Sequence, residues 1–160
     1  MPEGDFEDRI HVGLTEQPSM AARTPITISA TIQPGSVYFF ADEELPSPHF
    51  FVVINKNPAV EHPILLLYVS SQVEKIVSSR SLWRSKTVVI IKKGTHPDFS
   101  LDSAIDCNHV FSRSIKDLER KFKSGHLRIK SAMSSNLLDK LRESVLESDV
   151  VEEYIKDMIR

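Results

Sequence analysis

The chain has 160 residues, 41% of them hydrophobic and 26% charged, with a formal charge of −2. This length suits one domain with a core of its own, and the composition excludes a wholly disordered chain. A lone cysteine, Cys107, excludes a disulfide scaffold and a cysteine-based zinc finger, and no apolar run reaches the ~18 residues of a membrane span.

Residues 1–24 lack periodicity and mix Pro, Gly and charges, which predicts a flexible acidic leader. Their start, MPEGDFEDRI, has neither the charge nor the apolar stretch of a secretory signal, so a cytoplasmic protein is expected. The expected organisation is a leader or arm over 1–30 and a single domain over 31–160. Residues 24–33 (TPITISATIQ) alternate Ile with small polar residues and predict a short edge strand or arm. Pro34-Gly35 marks a turn. Aromatic and β-branched residues then predict strands at 36–40 (SVYFF), 49–55 (HFFVVIN) and 64–70 (ILLLYVS). The last two are almost continuously apolar, which implies burial on both faces or a place in a barrel wall. An acidic, proline-containing loop, ADEELPSP, fills 41–48.

Residues 71–83 predict one or two helical turns. Further strands are expected at 86–92 (KTVVIIK) and 103–107 (SAIDC). The period then changes. Residues 114–123 predict a helix with Ile115, Leu118 and Phe122 on one face, Ser114 as its cap and Gly125 as its stop. Ser135 is positioned to cap a second helix carrying Leu138, Leu141, Val145 and Leu146, and Ser148-Asp149 a third with Val151, Tyr154, Ile155 and Met158. Strands first and helices last is the order of an α+β domain, and short strands without parallel crossovers suggest a small antiparallel barrel.

Charge is unevenly spread. Residues 1–48 hold two basic and eight acidic side chains, whereas residues 71–130 hold thirteen basic and six acidic ones. A basic middle suits a polyanion such as RNA, and it equally suits a solvated face that pairs with the acidic ends. No phosphate-cradling glycine loop, GxSxG elbow or HExxH motif is present. His49 stands where a Pro-rich loop meets a buried strand, a place for a general acid or base or for a simple strand cap. Ser70 and Ser71 end the third strand, where hydroxyls bind phosphate oxygens or satisfy the following turn. Cys107 and His109 are spaced to share a strand face as a nucleophile pair, with a small buried core residue as the other reading of Cys107. His96, Asp98, Asp102, Asp106 and His109 carry metal-ligand chemistry without a recognised ligand spacing, so no metal and no cofactor is expected. Trp83 with Arg80 and Arg84 forms a basic-aromatic cluster able to stack a single-stranded base, or a tryptophan packed on the barrel. The C-terminal apolar stripe reads as core or as a partner-binding face.

In order along the chain, Pro34-Gly35-Ser36-Val37-Tyr38, the 49–54 strand HFFVVI, Leu66-Leu67-Tyr68-Val69-Ser70-Ser71, the 103–107 strand SAIDC and Lys123-Ser124-Gly125-His126-Leu127 resemble the successive motifs of the MazF/PemK family of endoribonuclease toxins. The resemblance spans roughly residues 33–147. It implies an SH3-like barrel, usually homodimeric, that cleaves single-stranded RNA without a metal and is bound by an acidic antitoxin protein. By position, His49 falls where the family has Arg, Ser70 falls where it has Thr, with Ser71 beside it, and Cys107 replaces a Gln. The implied catalytic residues are therefore His49, Ser70 and Ser71. Arg80, Arg84 and Arg113, from the basic block, are the candidate RNA-binding residues. The alternative is a non-catalytic binding or scaffold module built on the same barrel.

Overall fold

The computed structural model describes residues 25–79 and 86–160. The leader expected over 1–24, and Arg80, Trp83 and Arg84, lie outside the described residues. In chain order the elements are α1 (Ile28–Thr31), β1 (Val37–Phe40), β2 (His49–Val53), β3 (Ile64–Ser70), α2 (Val73–Ser78), β4 (Val88–Ile91), β5 (Ser103–Asp106), β6 (Phe111–Arg113), α3 (Ile115–Lys123), β7 (Leu127–Lys130), α4 (Ser135–Glu147) and α5 (Glu153–Asp157). Among the described residues no helix is long and apolar enough to cross a membrane.

The strands form one antiparallel sheet in the order β4-β5-β3-β2-β1-β7, with β6 also on β3. The outer side of β3 is shared: its first half pairs with β6 and its last two residues with β5. Alternation along the central strands sorts their side chains into two cores. Val37, Val52, Leu65, Leu67 and Val69 pack with Leu138, Leu141 and Val145 of α4 and Ile155 of α5. Tyr38, Phe40, Phe51, Val53, Ile64 and Leu66 pack with Leu118 of α3 and Ile28 of α1. Helices thus cover both faces, which is why β2 and β3 read as unbroken apolar runs.

The mixed α/β class is as expected, but the sheet does not close into a barrel. Closure would need β4 and β7, which end the sheet path among the described residues, to meet. Burial is achieved instead by helices on the two faces, and the outer strands are only three or four residues long.

The local signals behave unevenly. Ser114 Oγ accepts the Asp117 N–H, and α3 is stopped just past its Ser124 cap by Gly125, whose φ of +81° is the left-handed conformation glycine tolerates best. The cap of α4 is Ser134, one residue before the expected Ser135. The third helix begins after Glu152, while Ser148 caps a turn by accepting the Val150 and Val151 N–H groups. In place of the short edge strand or arm expected over 24–33, Ile28–Thr31 form the single helical turn α1. Thr27 caps it, and the Glu119 carboxylate accepts the Ile28 N–H at 3.0 Å from both oxygens, a contact 91 residues away in sequence. Strands β6 and β7 were not anticipated.

Candidate functional site

A cleft of about 450 Å³ opens where β1 ends, β2 begins and β3 ends. The 45–48 stretch of the β1–β2 loop walls one side, and α2 and residues 98–103 wall the others. His49, Ser70 and Ser71, separately singled out in the sequence, all line it. Phe50 pairs with Val69 and Phe51 with Tyr68, so the same register carried one residue further sets His49 opposite Ser70. Both belong to the face that carries Phe51 and Leu66.

His49 is held from two sides. Its Nδ1–H donates to the Ser47 carbonyl at 2.7 Å, and its ring meets Tyr68 edge-on at 5.4 Å. Because a carbonyl can only accept, the proton of the neutral ring sits on Nδ1 and Nε2 keeps its lone pair. Ser70 is 4% exposed, and its Oγ accepts the Gln72 N–H at 3.1 Å, which leaves its O–H as a donor. Ser71 is exposed at the rim. Among the described lining residues the permanent cation is Lys75 of α2, and the carboxylate is Asp98, which accepts the Ser131 N–H. Phe39, Phe50 and Phe99 supply aromatic surface.

Arg113 lies elsewhere. Its Nε and Nη2 donate to the two Asp42 oxygens at 2.7 Å each, Nη2 also to Glu44 at 2.5 Å, and Nη1 to the Ser112 carbonyl. The guanidinium sits 5.2 Å over the Phe111 ring. Hydrogen bonding from Arg113 holds the buried Asp42 carboxyl below the usual carboxylate range, and the two carboxylates push the Arg113 pKa upward. Arg113 therefore ties down the acidic start of the loop whose far end walls the cleft.

The Cys107–His109 pair does not form. β5 ends at Asp106, so the two side chains part. Cys107 is fully buried in the α4 core, and burial pushes its thiol up to about 12. His109 instead stacks on Phe111 at 4.3 Å and approaches Glu44. The residues with metal-ligand chemistry are not gathered: among the described residues no group of three or more His, Cys, Asp or Glu side chains could hold an ion. His96 acts as a brace, its Nε2–H donating to Ser131 O at 2.6 Å and its Nδ1 accepting the Asp98 N–H.

Sequence reasoning did not single out Lys75 or the three phenylalanines. Lys75 stood in the basic block with nothing to set it apart, and Phe39 and Phe50 read as ordinary strand residues. No protein-family model matches the chain, and no curated protein sequence matches it.

Proposed function

We propose that the cleft is the active site of a metal-independent endoribonuclease of the MazF/PemK type, acting on single-stranded RNA. The observation that carries this reading is the meeting of His49 and Ser70. They lie 21 positions apart in sequence, at the adjoining ends of the paired strands β2 and β3, and line one cleft with Lys75. Nε2 of His49 takes the proton of a ribose 2′-hydroxyl. The freed oxygen attacks the adjacent phosphorus, the bond to the 5′-oxygen breaks, and that oxygen takes a proton from water. A 2′,3′-cyclic phosphate and a 5′-hydroxyl result. The Ser70 O–H and the Lys75 ammonium hold the non-bridging oxygens as charge develops there. The β1–β2–β3 meander, with β3 shared between β5 and β6, suits a partly open form of the SH3-like barrel. A homodimer in the cytoplasm and an acidic antitoxin protein that competes for Lys75 complete the reading.

The test is cleavage of a long single-stranded RNA in EDTA. Wild type should cut. His49→Ala should lose about 10²–10⁴ in rate, the usual worth of a general base, and Ser70→Ala and Lys75→Ala should also slow it. Cutting that survives all three substitutions would refute the assignment. The second reading, a non-catalytic binding module, is favoured by Arg113, the candidate RNA-binding cation that two carboxylates already occupy. It predicts RNA binding without cutting by folded wild-type protein.

A further inference from the structure

The cleft has two chemically different walls because it lies across strand ends. Alternation sends His49, Tyr68 and Ser70 to one face of the sheet and Phe39 and Phe50 to the other, and the cleft reaches both. Phe39 and Phe50 are direct cross-strand partners, with ring centroids 4.9 Å apart and planes at 56°. Phe50 meets Phe99 at 5.0 Å and 53°. Behind them, His96 stacks on Phe99 at 4.2 Å with the planes inclined by 24°, and His96 is itself fixed through both ring nitrogens. Phe99 is almost fully buried, whereas Phe39 and Phe50 are half-buried and line the cleft. The result is a braced aromatic wall with a partly open surface, on the other side of the strand ends from a polar wall with an imidazole, a hydroxyl and an ammonium group.

We propose that this aromatic wall is a base-stacking subsite, which holds one nucleobase of single-stranded RNA beside the phosphate engaged by His49, Ser70 and Lys75. The inference rests on the RNA reading of the site and adds what grips the substrate. An aromatic face binds any base through its π surface, and rings already held by neighbours lose little freedom on binding. A volume of about 450 Å³ lies within the range of small-ligand clefts and accommodates one nucleotide. Gln72, exposed at the rim, presents an amide that can donate to and accept from a base edge, so it is the residue that would bias the choice of base.

The experiment compares two fluorescein-labelled 2′-O-methyl oligonucleotides, which cannot be cut by 2′-hydroxyl attack. One carries all its bases and the other is abasic at its central positions. Anisotropy at low salt reads binding to wild type, Phe39→Leu, Phe50→Leu and Phe39→Trp, each first checked for an unchanged circular dichroism spectrum. Wild type should bind the base-bearing strand about 10-fold or more tightly than the abasic one, the scale of one stacked base. Phe39→Leu and Phe50→Leu should lose that preference, and Phe39→Trp should retain it. Equal binding of the two strands by wild type, or leucine variants that keep the preference, would overturn the subsite. Cleavage of unmodified RNA in EDTA, run alongside, separates the two readings. Base preference without cutting removes the nuclease and leaves the subsite, cutting without base preference removes the subsite alone, and neither binding nor cutting removes both.

Discussion

Replacing Arg113 by methionine would keep an unbranched side chain there but remove the guanidinium over Phe111 and strip the buried Asp42 carboxylate of its counter-ion. The Asp42 side chain is 2% exposed and the Arg113 side chain 21%, and two 2.7 Å bonds join them. Removing one partner of a fully buried pair costs about 3–5 kcal/mol, because the remaining charge stays desolvated. Water reaches Arg113 at one edge, and the half-exposed Glu44 adds at most about 1 kcal/mol. We therefore expect a loss of about 3 kcal/mol at pH 7, read as a drop in the urea midpoint followed by circular dichroism. The pH dependence has a definite sign. Arg113 lowers the Asp42 pKa in the folded protein, so its stabilisation is complete above the unfolded carboxyl pKa of ~3.9 and is lost as pH falls through the lower folded value. Without Arg113, desolvation remains and favours the protonated acid, so wild type and variant should converge as the pH drops below ~4. A loss under about 1 kcal/mol at pH 7, or a gap that widens in acid, would refute this account of the clamp.

Other predictions concern the site and the frame around it. With Lys75 as the cation that meets phosphate in the cleft, single-stranded RNA affinity should fall with salt at a log–log slope of about −0.7; a slope several times steeper would place most of the contacts outside the cleft. Gly35 has φ +83°, and a Cβ there would meet the Met133 carbonyl oxygen at 3.1 Å, so Gly35→Ala should cost about 2 kcal/mol and lower the thermal midpoint by several degrees. Cys107, buried and with its thiol pushed up to about 12, should react with iodoacetamide at pH 8 only at the rate at which the protein opens; rapid labelling of folded protein would contradict its burial.

Much of the fold could be read from short stretches of chain. The central strands were legible because the segments around β1, β2 and β3 are aromatic and β-branched runs bounded by turn residues. Helix α3 was legible because Ser114, its apolar spacing and Gly125 all lie within twelve residues. Elements that depend on distant partners were not legible. α1 exists where Glu119 meets its first N–H groups, β6 is three residues long and is defined by pairing with β3, and β7 is defined by pairing with β1. The one-residue shift in the cap of α4 reflects two adjacent serines with equal local chemistry, of which Ser134 has the extended backbone that a cap requires.

The same division holds at the site. Sequence alone determined that His49 and Ser70 are polar residues at the ends of buried strands, because alternation and flanking turns are local properties. Only the tertiary structure decided that they line one cleft, since a one-residue slip of β2 on β3 would send His49 to the opposite face. It also decided that Arg113 faces Asp42 and Glu44, that Lys75 reaches the cleft, and that Phe39, Phe50 and Phe99 join into one wall. Each of these depends on pairings between segments far apart in the chain, and side-chain periodicity carries no information about which distant segment a strand or loop will meet.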